Sequence, residues 1–479
     1  MRLTGTDAMF LYLDGPRKYQ HTLKIAIVDP SAEPRAASYE WSKRLFAERL
    51  YRVPPLRWRY ARTPLGIHHP IWVDDADFNV DYHLRRVVCP APGDQKALCE
   101  LISSLCAAGL DHSRPLWMLW IVEGLREGHV AYIMMVHHAY FDGAGAANAL
   151  LEFTRPDKPG DAEAAGRWDP KPWPSAGRRI LWALRDLPSV FLHDLPRGLK
   201  GLWKQQAVAA ECRRAGRPLP PAPADAPVTP FSRMLGHGRT FVCDALPLAD
   251  FRLVDSAFGV TINDVFLACC AAAIRRFLFD CGYDADRGPI LAGIPFSQER
   301  PPDKMAVGNF ATGDYLWLPT HVADPLERLR AASAASAGVK QHLKAIGGGV
   351  GALFNAMPPV FSRLVDAFIR HKRGTFGLLG NVVLSNMPGP KEPLFVDKLR
   401  IHNWFSTGQI FHGTTLNMTV WSYCQNMNLC VMGDSAMVKD GWVLWGYFRE
   451  ALEELVALAG ATASKSPPTL SRTESSSAF

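Results

Sequence analysis

The chain has 479 residues, 48% of them hydrophobic and 21% charged, with a formal net charge of +7. This length favours two domains over a single core, and the composition excludes a disordered chain. The basic excess is mild and forms no dense Lys/Arg block, so we expect no nucleic-acid partner. Ten scattered cysteines without a Cys-x-x-Cys pair fit neither a disulfide framework nor a zinc site, and they predict reduced thiols in the cytoplasm.

The first predicted domain covers residues 1–155, where strand-like and helix-like segments alternate. Strands are predicted for "HTLKIAIVDP" at 21–30 and for "HVAYIMMVHH" at 129–138. The second segment is apolar almost throughout, so both of its faces should be buried. "GDQKALCELISSLCAAGLD" at 93–111 predicts an amphipathic helix. Together these segments are typical of an α/β (α+β) fold.

Residues 156–230 form a predicted linker that is rich in proline at both ends and carries short amphipathic helices between them. Between Lys171 and Arg217 the chain has ten Lys/Arg against three acidic residues, and Trp182 and Trp203 lie in the same stretch. Basic residues with Trp and Leu on short helices are typical of a segment that lies on a membrane or lipid-droplet surface. The alternative is a linker that packs on the protein's own surface. The expected location is the cytoplasm, either free or peripheral on the inner membrane or on lipid droplets.

A second α/β domain is predicted for residues 231–462. Its helix "TINDVFLACCAAAIRRFLFD" at 261–280 begins with two candidate caps, Thr261 and Asn263. Five later segments predict strands, and a helix closes the domain. The remaining residues, 463–479, predict a disordered tail.

Two adjacent histidines, His137 and His138, end the apolar strand, and Phe141-Asp142-Gly143 follows. Side chains alternate along a strand, so the two imidazoles should point to opposite faces. Three hypotheses stay open: a pair of core histidines, a metal site, or a general base. A metal site would need at least three converging ligands, and the sequence indicates no third one. An imidazole titrates near neutral pH and accepts a proton from an alcohol, so a fixed histidine at a strand end also suits a general base.

The roles of Asp142 and Gly143 also stay open on the residues alone. Asp142 would either bind an imidazole directly, as in a catalytic triad, or fix the turn by pairing with an arginine elsewhere. Gly143 would allow either a positive φ or a close approach of the backbone.

The spacing His137-His138-x-x-x-Asp142-Gly143 resembles the motif of the CoA-dependent acyltransferase superfamily, which includes chloramphenicol acetyltransferase-like enzymes and the condensation domains of peptide synthetases. Other segments resemble bacterial wax ester synthase / diacylglycerol acyltransferases, in the family's order and over nearly the whole chain. These segments are "GTDAMFLYLD" at 5–14, "VPPLRWR" at 53–59, "WVDDADFNVDYHLRR" at 72–86, "DHSRPLWMLWIVEGL" at 111–125, "TINDVFLA" at 261–268, "GNF" at 308–310 and "NVVLSNMPGP" at 381–390.

This resemblance implies two chloramphenicol-acetyltransferase-like domains, with mixed sheets flanked by helices and an active-site tunnel at the domain interface. Acyl-CoA would enter from one side, and diacylglycerol or a long-chain alcohol from the other. His138 would deprotonate the acceptor hydroxyl, and the alkoxide would attack the thioester without an acyl-enzyme. No cofactor and no metal are expected. Asp142 would be structural and pair with Arg300, although this chain has one more residue before Arg300 than the family pattern.

Three further motifs match the family. Their residues are Pro115, Leu116, Trp117, Asn263, Asp264, Ser385 and Asn386. The Pro-Leu-Trp motif is expected to pack at the start of a strand. Asn263 would either cap its helix or line the tunnel and position the substrate. Ser385 and Asn386 would either form a turn after a strand or donate a hydrogen bond to the thioester carbonyl.

One segment, residues 406–415, departs from the Gly-Pro-rich pattern of the family and is expected to reshape the acceptor pocket. Two rival functions remain beside long-chain acyl transfer. One is a condensation-type acyltransferase that uses a carrier-protein thioester, but no carrier domain lies in the chain. The other is a catalytically inactive lipid-surface protein of the same fold, which would not need the intact His138 and Asp142.

Overall fold

The computed structural model describes residues 1–34, 38–155, 169–216, 220–297, 308–346, 351–357 and 359–463. The helices are α1 (Gly5–Leu13), α2 (Tyr39–Arg49), α3 (Val80–His83), α4 (Gln95–Cys106), α5 (Gly143–Thr154), α6 (Ala176–Ser189), α7 (Leu195–Arg214), α8 (Leu248–Phe258), α9 (Ile262–Asp280), α10 (Pro325–Ile346), α11 (Gly351–Ala356), α12 (Pro359–His371) and α13 (Gly441–Ala463). The strands are β1 (His21–Asp29), β2 (Trp58–Ala61), β3 (Ile71–Asp74), β4 (Leu84–Val88), β5 (Trp117–Glu123), β6 (Val130–His137), β7 (Arg239–Pro247), β8 (Ile290–Ser297), β9 (Ala311–Leu318), β10 (Val382–Met387), β11 (Phe395–Val396), β12 (Leu399–Thr407), β13 (Leu416–Tyr423) and β14 (Asn426–Asp434).

The first sheet has the strand order β11-β12-β1-β6-β5-β4, and the histidine pair lies at the end of β6. β1 pairs antiparallel with β6 and β12, while β4 and β5 run parallel, so the sheet is mixed. β6 is buried along its whole length, and β1 is buried at all but its last residue. Continuous burial explains why these segments show no polar alternation, because a strand covered on both faces has no solvent side.

The second sheet has the order β7-β14-β13-β10-β8-β9. β10 runs parallel to β13 and β8, and the other neighbours are antiparallel. α9 packs against α10 and α13, and every residue from Asp264 to Ile274 is buried. The predicted fold class, a mixed α/β protein with sheets flanked by helices, is confirmed.

The two sheets are not built from separate halves of the chain. β11 and β12 belong to the range 231–462, yet they pair with each other and with β1 in the first sheet. The chain then returns through β13 to the second sheet. The predicted domain boundaries at 155 and 231 stay predictions. The first sheet nevertheless combines strands from both predicted domains.

The predicted short helices of the linker are wrong as separate elements. α6, a π-helical turn at Val190–Asp194 and α7 follow one another without a break. Pro188 lies at the end of α6 and Pro196 in the first turn of α7. The wider turn lies between the two prolines, and the helix continues through both of them. The predictions for residues 156–168 and for the tail at 464–479 concern residues outside the described ranges.

Tyr423 links the two sheets where β12 crosses over. Its hydroxyl donates to the carbonyl of Ile401 and accepts from the amide of Leu394, both at 2.9 Å. The side chain is 1% exposed, so water does not replace the hydroxyl when it is removed.

We predict that Tyr423→Phe lowers the free energy of unfolding by about 1–3 kcal/mol, because two buried backbone groups lose their partner. The midpoint of urea unfolding measures this loss. Tyr447→Phe is the matched control, since the Tyr447 hydroxyl donates to Asp280 at the surface at 2.7 Å. Its expected change stays within about 0.5 kcal/mol. Equal shifts in the two variants would contradict a linking role for Tyr423.

Candidate active site

His138 follows the last residue of β6, and its backbone is held on both sides. Its amide donates to the carbonyl of Gln20 at 2.7 Å, and its carbonyl accepts from Nδ2 of Asn309 at 2.8 Å. The imidazole stacks on the ring of Phe10, with centroids 4.1 Å apart and planes at 21°. The residue as a whole is partly accessible.

The surroundings of His138 favour the neutral imidazole. Burial lowers its pKa to about 4, the negative charge of Asp142 opposes this shift, and the positive charge of Lys24 adds to it. Nδ1 is buried and has no hydrogen-bond partner among the described residues. His138 is therefore unprotonated at neutral pH and ready to accept a proton, as a general base must be.

His137 points to the opposite face of the sheet, as strand alternation predicts. Its Nε2 lies 3.1 Å from Oδ2 of Asp14, and its Nδ1 accepts from the amide of Ala139 at 3.1 Å. Nε2 of His112 reaches the same Asp14 carboxylate at 3.0 Å. Asp14 ends α1, so His137 fastens this helix to the sheet. Within the described part of the chain, no group of three or more His, Cys, Asp or Glu side chains is placed to hold a metal ion.

Asp142 fixes the turn after the histidine pair. Its Oδ1 accepts from the amide of Gly145 and its Oδ2 from the amide of Phe310, both at 2.7 Å, and it is 2% exposed. These contacts agree with the structural alternative, and Asp142 acts on His138 through its charge. The predicted partner Arg300 lies outside the described residues.

Neither predicted reason for a glycine at position 143 is met. Gly143 opens α5 without a φ in the left-handed region. A Cβ at this position would lie 3.8 Å from Trp421 and 3.9 Å from Met387, which are ordinary contact distances. Trp421 lies on β13 and Met387 on β10, both in the second sheet, so Gly143 lies where the two sheets meet.

Asn263 is not the helix cap, because Thr261 takes that place. The Thr261 hydroxyl accepts from the amide of Asp264, and the Asp264 carboxylate accepts from the amide of Thr261, which completes a capping box. Asn263 instead uses its Oδ1 to accept from Nδ2 of Asn386 at 3.4 Å. Two of the sequence motifs thus meet side by side, at the end of β10 and the start of α9.

The Pro-Leu-Trp motif packs at the start of β5, as expected. Nε1 of Trp117 donates to the carbonyl of Leu56 at 2.7 Å, and the carbonyl of Leu116 accepts from the amide of His137 at 2.9 Å. Leu116 and Trp117 are 0% and 2% exposed. The motif therefore supports the strand end that carries the histidines.

Several residues at the site received no role from the sequence. Asp7 accepts at Oδ1 from both the amide and Nδ2 of Asn309, each at 2.8 Å. Phe10 covers the imidazole of His138, and the positive charge of the buried Lys24 lowers the pKa of that imidazole. Asp7 and Phe10 lie in "GTDAMFLYLD" and Asn309 in "GNF", so these family-like segments were a signal without an assigned function. Lys24 lies in no such segment. Its only distinguishing feature in the sequence is that it is a lysine inside an apolar strand.

The two mixed sheets, with the histidine pair at the end of β6, define a two-sheet fold of the acyltransferase type. A family model described as "Wax ester synthase/diacylglycerol acyltransferase catalytic domain" matches residues 3–266, and one described as "WS/DGAT C-terminal domain" matches residues 307–456. The chain belongs to the wax ester synthase/diacylglycerol acyltransferase family, and it is an acyltransferase.

Relatives are similar over nearly the full length. A protein of Mycobacterium tuberculosis (strain CDC 1551 / Oshkosh), provisionally named a diacylglycerol O-acyltransferase, is 45% identical over 469 residues, which cover 96% of this chain and 98% of the relative. A second one, from Mycobacterium tuberculosis (strain ATCC 25618 / H37Rv) and with the same provisional name, is 32% identical over 468 residues, 95% of this chain and 90% of that protein.

Two solved structures are similar in fold. The wax ester synthase/diacylglycerol acyltransferase from Marinobacter aquaeolei VT8 has a TM-score of 0.67 and 22% identity, and the match covers 96% of this chain and 100% of that one. The first condensation domain of the CDA synthetase has a TM-score of 0.59 and 15% identity, with 96% of both chains covered. The predicted acyltransferase fold is thus confirmed, while the tunnel between the domains stays a prediction.

We predict that the rate of acyl transfer stays constant from pH 7 to about pH 5 and falls as the pH drops through about 4, because His138 must be neutral and its pKa is lowered to about 4. An unshifted histidine would already lose half of the rate near pH 6.5. Initial rates of CoA release between pH 4 and 8 test this, with circular dichroism at each pH as a control for folding. A midpoint near 6.5 would show that burial does not set the pKa of this base.

Proposed function

We propose that the chain transfers a long-chain acyl group from acyl-CoA to the hydroxyl of diacylglycerol or of a long-chain alcohol, with His138 as general base. The observation that carries this proposal is a neutral imidazole whose backbone and ring are both fixed. The provisional names of the mycobacterial relatives support diacylglycerol, and the name of the Marinobacter protein supports both acceptors.

In the proposed reaction the acceptor hydroxyl gives its proton to His138, and the alkoxide attacks the thioester carbonyl. The tetrahedral intermediate then releases the CoA thiolate, which takes the proton from the imidazolium. The acyl group passes directly to the acceptor, so no acyl-enzyme forms. Asn386, held by Asn263, and the hydroxyl of Ser385 are the proposed donors to the developing oxyanion.

We predict that His138→Ala lowers the rate of CoA release from palmitoyl-CoA about 100- to 10,000-fold in the presence of diacylglycerol or hexadecanol, as for the loss of a general base. The control is His402→Ala, because His402 is an exposed histidine of β12. Its rate should stay within about twofold of the wild type.

Two results would contradict the proposal. Wild-type activity that survives in His138→Ala would show that another group removes the proton. A wild type that is inert with both acceptors but active with a carrier-protein thioester would favour the condensation-type rival.

We further propose that the enzyme binds peripherally to an anionic phospholipid surface through α6, α7 and α12. The large exposed apolar side chains there are Leu181, Leu184, Phe191, Leu192, Leu199, Leu202, Trp203, Val360, Phe361, Leu364 and Phe368. Exposed basic residues lie between them, namely Arg178, Arg185, Arg197, Lys200, Arg363, Arg370, Lys372 and Arg373. Together they form the α6–α7–α12 surface.

This surface combines the two features that a lipid headgroup region binds. Large exposed apolar patches are uncommon on monomeric proteins and mark interaction sites, and basic residues add attraction to anionic lipids. α7 packs against α11, and both α11 and α12 pack against α1, so α11 and α1 connect α7 with α12. No single helix in the described ranges has the length and hydropathy to cross a membrane, and only α8 with α9, bent by 103°, passes such a test as a pair.

We predict that replacing five basic residues of this surface by glutamine lowers co-sedimentation with vesicles of phosphatidylglycerol and phosphatidylcholine at least about fivefold. The five are Arg178, Arg185, Arg197, Lys200 and Arg370. The matched control replaces five exposed basic residues of the first sheet and its loops, Arg85, Arg86, Arg126, Lys398 and Arg400. Binding should fall in the first variant alone and weaken with added salt. Equal binding of both variants would show that the basic residues of the α6–α7–α12 surface do not bind the lipid.

A further inference from the structure

Lys24 is a buried cation at the centre of the molecule that the mechanism above does not use. It lies on β1, opposite Ser406 on β12, and only 1% of the residue is exposed. Its Nζ donates to Oγ of Ser406 at 2.7 Å. The ammonium also lies 5.9 Å from the centre of the Trp421 ring, within the range of cation–π attraction.

These contacts leave the ammonium with unused donors. A protonated lysine carries three N–H donors, and Ser406 takes one of them. Among the residues that the structure describes, no carboxylate forms an ion pair with Lys24, and Asp142 acts on it only through longer-range charge. A buried charge with so few partners is costly unless further oxygen atoms complete its surroundings.

Lys24 shares one face of the first sheet with the catalytic base. Lys24 lies opposite Met134 on β6, so these two side chains project to the same face of the sheet, and His138 follows Met134 by four residues. Side chains separated by an even number of positions project to the same side of a strand. The charge of Lys24 also reaches His138, where it lowers the pKa of the imidazole.

Trp421 ties Lys24 to the remainder of the site. The same ring that faces the ammonium lies 3.8 Å from the position of a Cβ on Gly143. Ser406, in turn, is the first residue of the segment 406–415 that departs from the family pattern and was expected to reshape the acceptor pocket. The ammonium of Lys24 therefore lies beside Trp421, the side chain that also borders Gly143 in the turn after His138.

We propose that Lys24 binds a second oxygen of the acyl acceptor and thereby selects diacylglycerol over a long-chain alcohol. This inference rests on the proposed function. A long-chain alcohol has a single oxygen, the hydroxyl that His138 must bind. Diacylglycerol places ester carbonyl oxygens beside its free hydroxyl, and a carbonyl oxygen is a suitable acceptor for an ammonium donor. An alcohol in the same place leaves the buried charge without this partner.

The test is Lys24→Met, which keeps the length of the side chain and removes the charge. Initial rates of CoA release from palmitoyl-CoA are measured with diacylglycerol and with hexadecanol. We expect kcat/KM for diacylglycerol to fall about 10- to 100-fold, as for the loss of a hydrogen bond to a charged group, while the value for hexadecanol stays within about threefold. Lys96→Met is the control, because Lys96 is exposed on α4.

A second variant protects the test against misfolding of Lys24→Met. Ser406→Ala keeps the lysine and removes the hydroxyl that orients it, so it should also lower the ratio of diacylglycerol to hexadecanol activity, by a smaller factor. An equal loss with both acceptors, or an unchanged ratio in both variants, would overturn the selection by Lys24. If the wild type is inert with both acceptors, the proposed function fails first and this inference falls with it.

Discussion

Two hydrogen bonds to the backbone of His138 hold the site together, and both come from residues far away in the chain. Its amide is bound by Gln20 and its carbonyl by Asn309. Asn309 is itself held by Asp7 in the first turn of α1, the helix that presents Phe10 to the imidazole. A strand end without such partners would fray. Here the ring is positioned before a substrate arrives, which lowers the entropic cost of orienting it for the reaction.

Burial keeps the imidazole of His138 neutral and also makes it a weaker base. Desolvation lowers the pKa of His138 to about 4, which keeps the ring neutral but makes it a weak base in the empty site. In the proposed reaction that balance changes, because an alkoxide begins to form beside the ring. The imidazolium then has an opposite charge nearby in a medium of low dielectric constant, which favours the protonated form. The same low dielectric strengthens the effect of the Asp142 charge on the imidazole.

Sequence patterns were sufficient where the structure is local. The strand that ends at His137, the amphipathic helix α4 and the capped helix α9 follow from periodicity and capping residues within each segment. Strand alternation also separated His137 from His138. The family-like segments around Asp7 and Asn309 pointed to the site without assigning these residues a role.

Other features depend on contacts that no local pattern encodes. The pairing of β12 with β1 joins residues nearly four hundred positions apart, and neither strand's pattern names its partner. Thr261 and Asn263 were both candidate helix caps. Thr261 forms the capping box, and Asn263 accepts a hydrogen bond from Asn386 instead. Pro188 and Pro196 suggested breaks in this segment, but a π-helical turn joins α6 to α7 without a break. The burial of Lys24 likewise follows from strand order, since β1 is central only because β12 covers its second edge.

The position of α1 connects the proposed lipid surface with His138. On one side α1 packs against α11 and α12, and on another its Phe10 stacks on His138. Moving an acyl chain through water costs about 0.8 kcal/mol per methylene, so an acceptor with long chains must reach the enzyme from a lipid phase. An apolar surface separated from His138 by one helix keeps that path short. The exposed apolar side chains of α12 are costly in water, and the proposed lipid contact would offset that cost beside the helix that carries Phe10.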